Sequence, residues 1–394
     1  MNDCCIVGGG IIGLSLAREL AGRGMKVRVL ARGRGADTTS WAAAGIFPPA
    51  PLHAGMSPAD ALTAWSDKLH RLWSRDLASE TGIDNGLLPS GGLHLARSIA
   101  GLERLRDNAD RWRQRSTPTD LLDRDAVMSC EPALARGADA GDILGGMVLR
   151  EEMQFRPSRH LDALEASCRK RGVVIEDAEV RRFVVNGRRV ERAVTSTGEI
   201  GAGTWVLAAG SWTGGLAGAI GLALDTRPIR GQIVLLRLPQ PLVTRIVNRG
   251  LDYLVQRPDG RLLVGSTIED VGFAPTTTPD TVQRLLGVAR SLLGDLPGSV
   301  VERSWAGLRP GNLDGNPTIG PLPDLDNAFI SAGHFRAGLH QSTGSAVLLA
   351  DLMTGHVPHL DPAPFVPGRP LPPAGIAPPE STADYLARTA AAVD

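Results

Sequence analysis

Apolar and polar residues alternate along this chain with a period that changes from segment to segment. Between residues 60 and 78 apolar side chains recur every three or four positions, which predicts an amphipathic helix. The same spacing predicts helices over residues 14–23, 101–115, 159–171, 280–293 and 338–353. These segments are long enough to pack an apolar face against a sheet.

Short apolar runs bounded by turn residues predict strands between these helices. They fall at residues 4–7, 26–30, 173–176, 180–185, 189–196, 204–212, 232–237, 253–257, 261–265, 301–309 and 327–332. The turns Asn186-Gly187 and Pro258-Asp259-Gly260 predict hairpins. Strands and helices alternate early and strands dominate later, so the pattern predicts an α/β protein.

The sequence GGGIIG at residues 8–13 lies between the first predicted strand and the first predicted helix. In such a unit the first glycine permits a tight turn and the second lets backbone N–H groups approach a pyrophosphate. The third glycine lets the helix pack on the strand, and the positive helix end faces the phosphates. A second strand follows the helix, so the context predicts a dinucleotide site.

The second predicted strand ends in Ala31, where such units usually carry an acid that binds the ribose hydroxyls. Candidates to replace that acid are Arg32, Arg34, Asp37, Thr38, Thr39 and Ser40. An alternative is that Arg32 and Arg34 are solvated loop charges and that the dinucleotide binds less tightly. The residues alone leave both interpretations open.

Composition excludes several classes of function. The 394 residues suffice for two or three domains. The 42 basic and 42 acidic residues balance, which argues against a nucleic-acid partner. Four cysteines show no metal spacing and fit a reducing compartment. With no room for a signal peptide before the first strand and no apolar run of about 18 residues, we expect a cytoplasmic protein without membrane or metal.

Two later segments carry an arginine beside glycines at the end of a predicted strand. They are WAGLRPG at residues 305–311 and GHFRAG at residues 333–338. The second also opens a predicted helix, so the pair indicates an anion site beside a helix amino terminus. Such a helix end also stabilises negative charge on a reduced ring system.

With these segments, residues 3 to about 365 resemble the glycine oxidase and D-amino-acid oxidase family of FAD-dependent enzymes. The resemblance rests on GGGIIG at 8–13, TSWAAAG at 39–45, VLAAGSW at 206–212, RGQ at 230–232, GST at 265–267, WAGLRPG and GHFRAG. Bacterial glycine oxidases are the nearest members, and no cysteine lies at 311–320 as in the covalent-flavin sarcosine oxidases. The resemblance therefore implies non-covalent FAD.

The resemblance also implies a fold with two domains. The first is a glutathione-reductase-type FAD-binding, Rossmann-like domain formed by residues 1–45, 141–225 and 301–357. The second is a substrate-binding domain with a mixed antiparallel β-sheet, formed by residues 46–140 and 226–300. Residues 358–394 are a proline-rich tail, in which 385–392 are expected to form a short helix.

For the substrate site, the resemblance implies that Arg309 binds a carboxylate through two hydrogen bonds, a task that suits a planar guanidinium better than lysine. Tyr253 matches a tyrosine that donates to the same carboxylate, and Arg336 matches a second arginine at the substrate mouth. Two alternatives remain for these residues. One alternative is that Arg309 pairs with a structural acid, such as Asp314 or Glu302. The other is that Tyr253 is a core aromatic residue.

For the cofactor, the resemblance implies contacts from the glycine-rich loop at residues 8–13 and from the small-residue segment at residues 39–45. It also implies contacts from the backbone of Val180 near adenine and from the helix that begins at Gly338. The implied set is Gly8, Gly10, Ile11, Ile12, Gly13, Arg32, Thr39, Ser40, Ala43, Ala44, Gly45, Val180, Ala209, Gly210, Trp212, Arg309, His334, Arg336, Gly338 and Leu339. The alternatives are packing roles for Trp41, Trp212 and Trp305, and a hydrogen-bonded core position for His334.

The implied reaction is oxidative deamination of glycine, sarcosine or a small D-amino acid. A hydride passes from the substrate to flavin N5, and molecular oxygen then serves as acceptor. The rivals are a dehydrogenase with another acceptor and a non-catalytic descendant of the fold. His340 and Gln341 add polar groups where the family is apolar, so the sequence leaves the substrate open, and also whether the enzyme supplies thiamine precursors. We expect a homo-oligomer.

Overall fold

The structure is a computed structural model that describes residues 2–33, 38–224, 226–312 and 314–370. The predicted helix over 385–392 and most of the proline-rich tail lie outside the described residues, as do Arg34 and Asp37. The strands are β1 (Asn2–Val7), β2 (Val27–Ala31), β3 (Ile46–Phe47), β4 (Gly92–Ala96), β5 (Thr119–Asp123), β6 (Gly145–Leu149), β7 (Met153–Gln154), β8 (Val174–Asp177), β9 (Val180–Asn186), β10 (Arg189–Thr195), β11 (Gly198–Leu207), β12 (Arg227–Arg237), β13 (Ile246–Arg249), β14 (Asp252–Gln256), β15 (Arg261–Gly265), β16 (Val300–Gly311), β17 (Thr318–Pro321) and β18 (Ala328–Ala332). The helices are α1 (Ile11–Gly22), α2 (Thr39–Ala42), α3 (Pro58–Thr81), α4 (Ile99–Gln114), α5 (Arg124–Cys130), α6 (Pro157–Lys170), α7 (Thr213–Gly218), α8 (Pro279–Leu293) and α9 (Gly338–Thr354).

The first sheet has the order β17-β18-β11-β1-β2-β8, and β10 and β9 continue from β11. Strands β18, β11, β1, β2 and β8 run parallel, so their carboxyl ends meet at one edge. On one face, α1, α3, α6 and α9 bury an apolar core that includes Leu16, Leu77, Leu164 and Leu348. The predicted parallel strand before the small residues 208–210 is confirmed as β11.

The second sheet has the order β16-β12-β15-β14-β13-β4-β6-β5 and is mixed. Helix α8 packs on one face, where Leu254, Leu285 and Leu292 are fully or almost fully buried. The opposite face carries a smaller apolar cluster with Tyr253 and Trp305. The predicted hairpin of β14 and β15 is confirmed, with Tyr253 opposite Gly265.

Three segments lie elsewhere than the sequence boundaries placed them. Strand β6, assigned to the nucleotide domain, hydrogen-bonds to β4 and β5 in the second sheet. Strand β16, assigned mostly to the nucleotide domain, pairs along its whole length with β12. Helix α3, assigned to the second domain, packs in the core beneath the first sheet. Local patterning fixes an element's period but not the sheet that it joins, so these three elements have other neighbours than the division along the chain implies, and the domain boundaries stay a prediction.

The two sheets are joined where α2 contacts β16. A Cβ added at Gly307 would lie 2.5 Å from Ala42 Cβ, so the absence of a side chain lets α2 approach. Thr39 Oγ1 and Ser211 Oγ both donate to the Leu308 carbonyl. Buried Arg257 donates to the Ala44 carbonyl at 2.7 Å. These contacts hold residues 39–45, the small-residue segment, between the two sheets.

Among the described residues, no helix has the length and apolar content that a membrane span requires.

Candidate cofactor and substrate site

A cleft of about 430 Å³ opens at the carboxyl edge of the first sheet. It runs from Arg32 and Val180 at one end, past the GGGIIG loop, to Gly338 and Leu339 at the other. Ligands of open parallel sheets bind at this edge, where strand ends and helix starts meet. Lining residues that extend from the end of β2 to the start of α9 fit an elongated ligand such as a dinucleotide.

Two glycines of the GGGIIG loop are required by close backbone contacts. Gly8 has φ +125°, and a Cβ there would lie 2.2 Å from the Ala208 carbonyl oxygen. A Cβ at Gly13 would lie 1.9 Å from the Gly8 carbonyl oxygen, so this glycine lets α1 pack on the turn rather than contact a ligand. Both distances are too short for any side chain.

The amino terminus of α1 faces the cleft without a capping side chain of its own. Gly10 is the N-cap residue and makes no side-chain cap bond, while the Ile11 N–H donates to Ser40 Oγ at 2.9 Å. Gly10, Ile11 and Ile12 line the cleft. Backbone N–H groups and the helix dipole suit a pyrophosphate, so the residues fit the dinucleotide half of FAD.

At the end of the cleft near Ala31, a carboxylate is supplied by the residue after Ala178 and β8 rather than by the end of β2. Glu179, which follows β8, lines the cleft and lies 3.8 Å from Arg32. The Arg32 guanidinium is 4.8 Å from the centre of the Trp212 ring, a cation–π contact. Ala31 also lines the cleft, and a Cβ on Gly9 would meet its Cβ at 2.5 Å.

At the other end the cleft reaches the amino terminus of α9. His334, Gly338 and Leu339 line it, and the N-cap residue Ala337 makes no side-chain cap bond. His334 is buried with Nε2 3.0 Å from Ser345 Oγ, and burial lowers the pKa of His334 to about 3. The ring is therefore neutral, and the helix dipole supplies the positive potential.

Arg309 and Tyr253 flank the segment 265–267 on the second sheet. Arg309 Nη1 donates to the Thr267 carbonyl at 3.0 Å and Nη2 to Ser266 Oγ at 3.2 Å. The guanidinium lies over Gly231, where a Cβ would be 2.2 Å from it. The Tyr253 hydroxyl would be 2.4 Å from a Cβ on Gly265. Two glycines thus make room for the two groups.

The acids considered as structural partners of Arg309 pair with other arginines. Asp314 Oδ2 is 2.7 Å from Arg369 Nε. Glu302 is 2.8 Å from Arg261 and 3.1 Å from Arg237. Tyr253 is 9% exposed and packs in the apolar cluster of the second sheet, so it is a core aromatic on this face as well as a neighbour of Gly265.

Arg336 lines the cleft and its side chain is exposed at the cleft mouth. It is linked to the end of β16 because the Phe335 N–H donates to the Pro310 carbonyl at 2.9 Å. The two arginine segments are therefore neighbours, as their sequence pattern indicated.

Most residues implied to contact the cofactor line the cleft. They are Gly8, Gly10, Ile11, Ile12, Arg32, Thr39, Ser40, Ala43, Val180, Ala209, Gly210, Trp212, His334, Arg336, Gly338 and Leu339. Gly13, Ala44, Gly45 and Arg309 are not among the residues that line it. Gly45 has φ +74°, and a Cβ there would lie 2.3 Å from the Phe155 carbonyl oxygen.

His340 and Gln341 point away from the cleft, against the expectation that they add polar groups beside the flavin. His340 Nε2 is 3.1 Å from Asp67 Oδ1, and Gln341 Nε2 donates to Ala59 O and Thr63 Oγ1. All three partners, Asp67, Ala59 and Thr63, lie on α3. The expectation is wrong, and these residues fasten α9 to α3.

Sequence reasoning missed several residues of the site. Glu179 and Arg181 follow β8, and their position depends on the strand order rather than on a motif. Ser266 and Thr267 carry a signal, since they belong to the GST motif, but the motif alone does not show that they accept hydrogen bonds from Arg309. Trp212 contacts Arg32 and Phe273 in addition to lining the cleft, whereas Trp41 and Trp305 pack on each other with ring centres 5.4 Å apart.

Comparison with known proteins agrees with this geometry. Residues 3–352 match the family model described as FAD dependent oxidoreductase (DAO). A glycine oxidase of Pseudomonas aeruginosa is 35% identical over 92% of this chain and 97% of its own length. The crystal structure of glycine oxidase from Geobacillus kaustophilus has a TM-score of 0.87 at 30% identity, over 94% of this chain and 99% of that one. Hydrogen cyanide synthase subunit HcnC of Pseudomonas aeruginosa is 28% identical over 95% of this chain and 98% of its own.

Proposed function

Because this chain belongs to the DAO family of FAD-dependent oxidoreductases, we propose that it oxidatively deaminates glycine, sarcosine or a small D-amino acid. The family, the α/β fold with a mixed second sheet and the FAD cofactor predicted from the sequence are confirmed. The proposed acceptor is molecular oxygen. The products are then a 2-oxo acid, ammonia or a primary amine, and hydrogen peroxide.

The observation that carries this proposal is the position of Arg309 beside Tyr253. Both groups lie at segment 265–267, on the face of the second sheet that α2 joins to the cleft. A guanidinium and a phenol hydroxyl suit a carboxylate, because one supplies two parallel donors and the other a third. In this arrangement the carboxylate of an amino acid binds the second sheet and its α-carbon faces the cleft.

FAD bound in the cleft supplies the group that accepts the hydride from the α-carbon. The residues of the chain would hold FAD and the substrate next to each other, because the two binding surfaces are joined by direct contacts. Trp305 Nε1 donates to the Ala42 carbonyl at 3.1 Å, so the second sheet and the small-residue segment keep a constant separation. Holding reactants in this way converts a bimolecular encounter into a unimolecular step. No residue is assigned as a general base.

The test is an anaerobic visible spectrum of the purified protein before and after adding glycine, sarcosine, D-alanine or D-proline. We expect bleaching of the flavin band by at least one of them. Glycolate, which has a hydroxyl in place of the glycine amine, is the matched control and should leave the band unchanged. A flavin band that no amino acid bleaches would refute the proposed substrate class but not the cofactor.

Admission of air then tests the acceptor. Stoichiometric peroxide with each turnover supports an oxidase. Slow reoxidation in air, with fast reoxidation by a quinone or a dye, would favour an amino-acid dehydrogenase, the runner-up for this chain. Light scattering of the same sample tests the proposal that the enzyme is a homo-oligomer.

A further inference from the structure

The RGQ motif at residues 230–232 contains two polar side chains that the proposed carboxylate site does not use. The guanidinium of Arg309 lies over Gly231 on one face of β12. Because side chains alternate along a strand, Arg230 and Gln232 point to the opposite face. Both are buried there, with 8% and 0% of their surface exposed. Buried polar groups of this kind require partners.

Both side chains bind Glu269. Arg230 Nε is 2.5 Å from Glu269 Oε2, and Gln232 Nε2 is 3.0 Å from each oxygen of the same carboxylate. The backbones also pair, because the Arg230 N–H donates to the Glu269 carbonyl at 2.8 Å and the Glu269 N–H donates back at 3.0 Å. Gln232 Nε2 also lies 3.3 Å from Thr281 Oγ1 on α8, so these contacts lie on the face that α8 covers.

The same two side chains of β12 hold the rest of the segment 266–278, which connects β15 to α8. Arg230 Nη1 donates to the Thr276 carbonyl at 3.2 Å. Gln232 Oε1 accepts a hydrogen bond from the Thr278 N–H at 2.8 Å. The segment is therefore attached to β12 at residue 269 and again where it ends.

The segment begins with two acceptors of Arg309. Arg309 donates to the Thr267 carbonyl and to Ser266 Oγ from its two terminal nitrogens. Thr267 Oγ1 in turn accepts from the backbone N–H of Gln232 at 3.0 Å. Two donors on different nitrogens of a rigid planar group define the plane of that group. The position of residues 266 and 267 therefore sets the plane of the guanidinium.

The partners of Glu269 require a carboxylate at this position. The Thr278 N–H can only donate, so Gln232 Oε1 faces it and Gln232 Nε2 faces Glu269. Arg230 also has only donors. A carboxylate accepts from both side chains, whereas an amide of the same size would point an N–H group at one of two donors.

On the basis of the proposed function, we propose that Glu269 is a positioning residue that orients Arg309 for the substrate carboxylate. Glu269 lies two residues after Thr267 and attaches this part of the segment to β12 through side chain and backbone. It is not among the residues that line the cleft, and it acts through the acceptors at residues 266 and 267. A contact with two parallel hydrogen bonds depends on such support, because a small rotation of the guanidinium breaks one of them.

The experiment compares Glu269→Gln with the wild-type holoenzyme. It measures kcat and KM for glycine, and the Kd of glycolate by equilibrium dialysis, because glycolate carries the carboxylate without the amine. We expect KM and the glycolate Kd to rise about tenfold, which corresponds to one lost hydrogen bond. The kcat should stay within about twofold, with flavin content unchanged, because the lost interaction is made equally by bound substrate and transition state. A folding defect alone would lower kcat and flavin content and leave KM unchanged.

Glu302→Gln is the matched control, since it also removes an arginine partner on the second sheet, where Glu302 pairs with Arg261. It should keep the wild-type KM and glycolate Kd. The double variant Glu269→Gln/Gln232→Glu exchanges the carboxylate and the amide, so the two side chains pair again and the Thr278 N–H keeps its acceptor. We expect this exchange to return both constants to within about threefold of the wild type.

Arg309→Met separates the inference from the proposed function. If Arg309→Met weakens glycolate binding but Glu269→Gln changes neither KM nor the glycolate Kd, the inference is overturned and the proposed function stands. If Arg309→Met binds glycolate as the wild type does, the proposed carboxylate site fails and the inference falls with it. Should Glu269→Gln not fold, Glu269→Asp, which keeps the charge but shortens the side chain, gives the same decision from the same two constants.

Discussion

The cleft at the first sheet and the polar face of the second sheet are built from different parts of the chain. The cleft depends on backbone: glycines 8 and 13 at contact distance, and two helix starts without side-chain caps. The second sheet depends on side chains: Arg309 extends from β16 and Tyr253 from β14, and both reach the segment 265–267. A backbone site recognises a phosphate group common to many cofactors, whereas a side-chain site can change its ligand by one substitution.

The difference predicts opposite sensitivities. In the cleft, adding one carbon atom to a critical glycine should abolish binding, while altering a lining side chain should have a small effect. On the second sheet, altering one side chain should remove turnover while the cofactor stays bound. The experiments below test this contrast, from the largest expected effect to the smallest.

The largest effect is expected for Gly13→Ala, because its Cβ would lie 1.9 Å from the Gly8 carbonyl oxygen. We expect a loss of about 4 kcal/mol or more in unfolding free energy and loss of bound flavin. Gly287→Ala is the matched control, since that glycine is exposed in α8 with nothing within 4 Å of the added carbon. The control should gain about 0.5–1 kcal/mol. A yellow, stable Gly13→Ala protein would contradict the contrast. For both variants, flavin absorbance measures the bound cofactor and urea unfolding measures the free energy of unfolding.

Arg309→Met should lower kcat/KM for the best amino acid by about 100-fold or more, with flavin content unchanged. Arg309→Lys should retain only part of the wild-type kcat/KM, because an ammonium group lacks the planar pair of donors. Arg237→Met is the control, since that half-exposed arginine at the far end of β12 pairs with Glu302. Loss of flavin together with activity in Arg309→Met would show that this face also holds the cofactor.

Acid should destabilise the part of the protein that is built around the first sheet, because two histidines are buried there in the neutral form. Desolvation lowers the pKa of His160 and of His334 to about 3, against 6.5 in the unfolded chain. Protons therefore favour the unfolded state, and stability that is full above pH 6.5 is lost as the pH falls towards 3. Each histidine contributes about 1.4 kcal/mol per pH unit in that range.

Unfolding free energies measured at several pH values across this range check the expectation. His160→Phe should reduce the slope by one proton, whereas His356→Gln, at an exposed position, should not change it. Stability that is constant between pH 6.5 and 4 would show that these rings are not held neutral.

The smallest effect is expected at the adenosine end. Arg32→Ala removes the contact with the Trp212 ring and the ion pair with Glu179, both at a solvent-exposed edge. FAD affinity should fall by about twofold to fivefold, with turnover at saturating FAD unchanged. Arg28→Ala, which removes the ion pair between Arg28 on β2 and Glu176 on β8, is the control. Equilibrium titration of the apoprotein with FAD measures the change. A 100-fold loss of FAD affinity in Arg32→Ala would mean that binding at the adenosine end depends on side chains.

The sequence by itself determined the elements and the chemistry that is local in the chain. The period of apolar residues gave α3, α8 and α9 within a few residues, because burial of one face imposes that period. GGGIIG gave the turn and its helix, because only glycine fits those backbone contacts. The resemblance carried by the seven motifs identified the family and FAD.

Only the tertiary structure decided which distant residues meet. Strand order brings Glu179 to the end of the cleft where Ala31 replaces the usual acid, and register places Tyr253 opposite Gly265. Helix rotation turns His340 and Gln341 to α3. The pairing of β6 and β16 with strands of the second sheet likewise joins segments that are far apart in the chain. Local sequence fixes backbone conformation, but hydrogen bonds between strands and the burial of helix faces fix neighbours that are far apart in sequence.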